Sequence, residues 1–210
     1  MGFSIKGLLY RIFIDPLING LRRHVVSMIG PGEKVIDIAC GTGALSMALA
    51  RHAGHVTGID FSDDMITTAR RTAQKCRVAN VSFGLLDASD LSTYPDNSFD
   101  VAVSTLAMHQ FEPETAVKVL MEMRRLAKRI IIADYNCPMT QGPAAWLAWG
   151  IERAARGDHY RNFRKYMAGG GLNSLAAAAG LSITTSVNRG EGVFTVTQML
   201  LREDIHGVPQ

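Results

Sequence analysis

Cysteine is scarce in this 210-residue chain, and the three present, Cys40, Cys76 and Cys137, form no C-x-x-C pair. Their odd number and wide spacing argue against a disulfide framework or a zinc ribbon, and fit a reducing, cytoplasmic setting. No metal-ligand pattern is read from the spacing. Long apolar runs are also missing. Lys6, Arg11, Asp15 and Arg22 interrupt the patchily apolar first thirty residues, so neither a bilayer-spanning segment nor a signal-peptide core is expected. Charge of one sign is not in excess: a net +3 gives no reason to expect a nucleic-acid partner. Internal repeats, low-complexity tracts and divisible linkers are absent, so residues 1–210 read as one domain.

Apolar residues make up 47% of the sequence and charged residues 20%, enough for a buried core. The most informative stretch is Val35-Ile36-Asp37-Ile38-Ala39-Cys40-Gly41-Thr42-Gly43. A short apolar run with one acid breaks into a glycine turn, and helix-prone residues from Ala44 follow. Strand, glycine turn and helix in that order form a nucleotide-binding corner, where glycines admit the ligand and the helix N-terminus offers unpaired N–H groups. A dinucleotide fingerprint would place a third glycine where Ser46 stands. Asp37, four residues before Gly41, would repel a pyrophosphate and attract an ammonium group. A phosphate-free nucleoside with an amino-acid end fits better, and S-adenosylmethionine (SAM) has that character.

The remaining pattern alternates. Val56–Asp60, Val81–Leu86, Phe99–Ser104 and Ile130–Ala133 read as strands, with helices from Ser62 to about Lys75 and from Pro113 between them. Residues 3–29 read as helical with a break near Pro16. Residues 143–168 give one or two helices carrying Trp146 and Trp149. Gly169-Gly170-Gly171 reads as a flexible joint before a short helix over 172–179, closed by Gly180. Residues 181–188 and 193–201 then form a hairpin around Arg189-Gly190-Glu191-Gly192. The expected fold is α/β: a doubly wound, mostly parallel seven-stranded sheet with helices on both faces and a C-terminal antiparallel hairpin.

The D-x-A-C-G-T-G motif and the closing hairpin together resemble the class I SAM-dependent methyltransferases, especially the small-molecule branch that includes quinone-biosynthesis enzymes. The resemblance covers residues 30–135 well and 172–201 reasonably. It implies SAM as cofactor and a last strand running antiparallel between its neighbours. It also implies a cofactor site along the carboxyl edge of the sheet. There Asp37, Ala39, Cys40, Gly41 and Gly43 would lie beside the methionine end, with Cys40 a small spacer. Asp60 would accept hydrogen bonds from the ribose hydroxyls, and Phe61 and Met65 would line the nucleoside. Asp87 and Ala88 would read the adenine edge, with Asp90 a rival. Ser104 would sit close to the sulfonium methyl.

His109 is the candidate general base of the loop after the fourth strand. Tyr135, Asp134 and Tyr10 are further pocket candidates. Residues 1–29 and 138–168, rich in aromatics (Tyr10, Phe13, Trp146, Trp149, Tyr160, Phe163, Tyr166), would form a helical lid over a small apolar or aromatic methyl acceptor. Peripheral membrane contact through the N-terminal helix stays open. Two other readings are an NAD(P)-dependent oxidoreductase and a SAM-binding module without turnover. The two basic clusters, Arg124–Arg129 and Arg153–Lys165, read as solvated helix faces or, second, as a surface for an anionic partner.

Overall fold

The computed structural model describes residues 15–201. The elements are α1 (Asp15–Ser27), β1 (Lys34–Ile38), α2 (Ala44–Leu49), β2 (His55–Asp60), α3 (Asp63–Cys76), β3 (Val81–Leu85), β4 (Phe99–Thr105), a 3-10 turn (Met108–Gln110) and α4 (Pro113–Leu126). They continue with β5 (Ala127–Tyr135), α5 (Pro143–Ala155), α6 (Gly157–Ala168), α7 (Gly171–Ala178), β6 (Leu181–Arg189) and β7 (Phe194–Leu201). The part of the expected N-terminal helix before residue 15, with Tyr10 and Phe13, lies outside the described residues.

One seven-stranded sheet runs in the order β3-β2-β1-β4-β5-β7-β6. The first five strands pair in parallel, and β7 lies antiparallel between β5 and β6. The expected fold class and its closing hairpin are borne out. Central strands carry helices on both faces, so their sequences are continuously apolar: Val35, Ile36, Ile38, Val101, Val103 and Ile130–Ala133 are all buried. The chain reverses strand order between β1 and β4, and this switch opens the crevice in which ligands of such sheets lie.

Local signals explain most of the boundaries. Ser62 caps α3, its hydroxyl accepting from the Met65 N–H, with Asp63 and Asp64 in the first turn. Pro113 starts α4. The 143–168 segment is two helices, α5 and α6, because the backbone turns over at Arg156 and Gly157, both at positive φ. The Gly169–Gly171 stretch is not a loose joint. Gly171 sits at φ +61, where an added Cβ would lie 2.5 Å from Cys137 Cβ, so the glycine permits a close backbone approach.

The Arg124–Arg129 cluster is structural. Arg125 holds Glu122, Asp96 and the carbonyls of Leu91 and Tyr94. Arg129 pairs with Glu33, Lys128 with Asp100, and Arg124 donates to the Ala179 carbonyl.

Candidate functional site

The site is built on the carboxyl ends of β1, β2, β4 and β5. β1 ends at Ile38, and the chain leaves it through Ala39 at φ +56, followed by Gly41 at +55 and Gly43 at +74. A non-glycine residue held in this region is strained; β4 is left the same way, through Leu106 at φ +55. The two strained exits flank the switch point.

Gly43 is required for packing as well as conformation. A Cβ there would come within 2.6 Å of the Phe83 ring and 3.0 Å of Ala69 Cβ. Phe83 is a core residue of the α3 cluster with Ile66, Ala69 and Ala73. Gly58 on β2 is equally tight: a Cβ added to it would lie 2.7 Å from the Phe83 ring and 2.9 Å from the Ser46 hydroxyl. The Phe83 ring thus packs closely against both Gly43 of the turn and Gly58 of β2.

Asp60 joins the first two strand ends. One carboxylate oxygen accepts from the Gly41 N–H at 2.8 Å and the other from the Ser62 N–H at 3.0 Å. Each oxygen keeps a second lone pair, so the bracing leaves capacity for two ligand hydroxyls. Asp37 lies beneath the turn, 1% exposed, and accepts the Ser46 hydroxyl at 2.6 Å. Burial pushes its carboxyl up to about 7, with the Ser46 hydrogen bond opposing the shift. Ser46, which stands where a dinucleotide fingerprint has glycine, therefore supplies the hydroxyl that satisfies a buried acid.

Cys40 donates its N–H to the Ile59 carbonyl, and burial raises its thiol above the ordinary value, as does the nearby negative charge of Asp37 and Asp60. That suits a spacer and not a nucleophile. Phe61 is 79% exposed and Met65 is also exposed, just past the end of β2. Asp87, exposed, closes an Asx turn onto Ser89, and Ala88 beside it is buried. Asp90 makes the same kind of turn with Ser92. Ser104 donates to the Ile38 carbonyl at 2.9 Å, a hydroxyl used to tie β4 to β1.

The second half of the site lies beyond β4 and β5. His109 is 2% exposed, and its Nδ1 lies 2.6 Å from Asp134 Oδ1 at the end of β5. The His109 backbone N–H also donates to Asp134, at 3.3 Å. A carboxylate accepts, so Nδ1 carries a proton, and in the neutral ring Nε2 is left with the lone pair. Nε2 lies 3.7 Å from Glu152 of α5. Glu152 is itself 5% exposed, accepts from the Tyr135 hydroxyl at 2.8 Å and meets His159 Nε2 at 2.6 Å. Burial is the largest influence on His109 and opposes protonation. The attraction of Asp134 and Glu152 outweighs it and leaves the imidazole above its ordinary value.

Around this network is a cavity of about 220 Å³ lined by Ile18, Leu106, His109, Tyr135, Leu147, Glu152, His159 and Phe194, among others. It is mainly apolar with a few converging polar groups, the usual make-up of a small-molecule site. The structure thus brings together Asp37, the glycines and Asp60 at one end and His109, Asp134 and Tyr135 at the other. The expected lid is in contact with the cavity through α5 and α6. Trp146, at 73% exposure, does not face it, while Phe163 and Tyr166 are buried and ring His109.

Sequence reasoning does not single out Glu152 or His159. A signal exists for Glu152: it falls at seven-residue spacing from Ala145 and four from Ala148 on the buried stripe of α5, where a carboxylate needs partners.

Comparison with known proteins identifies the family and the fold. A methyltransferase-domain family model matches residues 29–179. The chain belongs to that family. A demethylmenaquinone methyltransferase of Clavibacter sepedonicus is 36% identical over 111 residues, covering 51% of this chain and 43% of the relative. A ubiquinone biosynthesis O-methyltransferase of Pseudomonas aeruginosa is 30% identical over 161 residues, covering 72% of this chain and 66% of the relative. The methyltransferase-family chain therefore spans about two fifths to two thirds of these relatives' length. Among solved structures, a SAM-dependent methyltransferase from Aquifex aeolicus superposes with a TM-score of 0.65 at 19% identity, covering 86% of this chain and 89% of that one. That likeness concerns the fold.

Proposed function

We propose that this chain is a SAM-dependent methyltransferase that moves a methyl group to a small, apolar or aromatic molecule by in-line displacement. The observation that carries the reading is the joint at Asp60, whose two oxygens brace Gly41 and Ser62 and still present lone pairs at the end of β2. In this reading Asp60 takes the ribose hydroxyls, and Asp37 gives the turn an acidic floor for the methionine ammonium. Gly41, Gly43, Ala39 and Cys40 supply the close backbone. Phe61, Met65, Asp87 and Ala88 flank the nucleoside, and Ser104 holds β4 in register beside it.

A sulfonium is already an activated donor, so the protein's task is alignment and exclusion of water, worth roughly 7–11 kcal/mol when fully realised. The acceptor would lie in the cavity under α5 and α6, within a single domain. His109, oriented by Asp134, would take the acceptor's proton through Nε2. The activities of the two relatives, on demethylmenaquinone and in ubiquinone biosynthesis, favour a quinone precursor as acceptor. Three unpaired cysteines are consistent with a reducing, cytoplasmic setting. Among the described residues no helix is long and apolar enough to cross a membrane.

Calorimetric titration with SAM and with NAD tests the cofactor: saturable binding of SAM alone is expected, and binding of NAD in its place would overturn the assignment. Incubation with methyl-labelled SAM and a panel of quinone precursors should then move label into the organic extract. SAM binding with no transfer to any small molecule would favour a module without turnover.

A further inference from the structure

We infer that His109, Glu152 and His159 form a binding site for one divalent transition-metal ion of the zinc type. One donor atom from each residue lies within 4.8 Å of the other two, in a site open to the cavity. The residues come from three separate elements: the turn after β4, the buried stripe of α5 and the first turn of α6. Ligands around zinc sit at ~2.1 Å, which places tetrahedral neighbours roughly 3.4 Å apart. His109 Nε2 lies 3.7 Å from Glu152 Oε1 and His159 Nε2 lies 2.6 Å from Glu152 Oε2, so the two carboxylate oxygens stand between the imidazoles at separations either side of that distance. Small rotations of the side chains would close the set.

The surroundings already match a metal site. Asp134 holds His109 by Nδ1, which fixes the tautomer with Nε2 free, as partner carboxylates do for metal-bound histidines. The Tyr135 hydroxyl orients the Glu152 carboxylate in the same way. Two imidazoles and one carboxylate select zinc-like ions over magnesium, which prefers all-oxygen ligands. Three protein ligands leave a fourth position toward the cavity.

A ligated Nε2 has no lone pair for a proton. In the loaded protein a hydroxyl of the acceptor would be acidified by coordination and give its proton to water, in place of transfer to the imidazole. That consequence rests on the proposed methyl transfer; the site itself does not, and its test reads metal directly.

Tag-free protein stripped with a chelator is titrated with Zn²⁺ by calorimetry, with Co²⁺ as a visible-absorption probe and Mg²⁺ as the contrast. One Zn²⁺ per chain is expected, with no saturable Mg²⁺ binding. Glu152→Gln and His159→Ala should each weaken Zn²⁺ at least tenfold, whereas His52→Ala, at an exposed histidine elsewhere, should leave it unchanged. Circular dichroism confirms that each variant is folded. His159 is partly exposed, so its variant is the safer of the two for folding. Absence of saturable Zn²⁺ binding by the parent chain would overturn the site, as would binding that survives both substitutions.

Discussion

Asp37 and Asp134 are both buried acids on strands of one sheet, and they are treated in opposite ways. Asp37, inside β1, meets a neutral hydroxyl, Ser46, and its carboxyl is driven up to about 7 by burial. Asp134, at the end of β5, meets an imidazole at 2.6 Å and the backbone N–H groups of His109 and Tyr135. The first is an acid kept easy to protonate under a rigid glycine turn. The second is the anchor of a polar relay that reaches into the lid. The cofactor half of the site is thus organised by backbone, and the acceptor half by side chains from distant elements.

The largest effect that would test this division is Asp134→Asn. The variant cannot hold His109 in the same tautomer with a charged partner, so methyl transfer to an acceptor that must lose a proton should slow by about 10²–10⁴-fold. SAM affinity, governed from the other half, should stay within a factor of two or so of the parent. Single-turnover rates and calorimetry separate the two, and a matched loss of SAM binding would show that the halves are not independent.

Asp37→Asn comes next. The folded-state value near 7 exceeds the ordinary value of 3.8, so the folded chain holds this proton more tightly than the unfolded one. Stability from this group is therefore present at low pH, declines as pH rises from about 4 to about 7, and is level above that. The full span is of order 4 kcal/mol. Asparagine still accepts the Ser46 hydroxyl but does not titrate. Urea unfolding near pH 5 and near pH 8 should show the variant gaining on the parent as pH rises; parallel curves would mean that Asp37 is ionised throughout.

Asp60→Ala should weaken SAM binding by about 1–3 kcal/mol through lost charge-assisted hydrogen bonds. It also frees the N–H groups of Gly41 and Ser62, so the glycine turn should exchange its amide hydrogens faster. Unchanged affinity would place the ribose contact elsewhere.

The uneven legibility of the two halves follows from the same contrast. β1, the glycine turn and β2 lie within about thirty residues, and short-range rules for turns, caps and strands describe them directly. Asp37, Gly41 and Asp60 are readable for that reason, as is the hairpin that ends the sheet. The network around His109 joins residues 25 and 43 positions apart in sequence, and no local pattern reports such a meeting. His109 stands out alone as a titratable residue after β4, while Glu152 and His159 sit in helices that read as lid. The Gly169–Gly171 stretch is misread as a joint because a glycine run looks the same in sequence whether it is slack or tightly packed. Only the position of Cys137 decides between these.

An effect of similar size concerns Gly43, where backbone and packing demands coincide. Its φ of +74 is costly for any residue with a Cβ, and the methyl of alanine would meet Phe83 at 2.6 Å. Gly43→Ala should therefore lose about 1–3 kcal/mol of stability, the range for overpacking a core contact. Conformational strain and collision can be told apart by adding Phe83→Leu, which removes the ring edge but not the backbone problem. If collision dominates, the pair should cost less than the sum of the two single changes, with a coupling of roughly 0.5–3 kcal/mol. Strict additivity would instead assign the glycine to its left-handed backbone alone, and the cofactor half would then owe its rigidity to the turn and not to the ring packed beneath it.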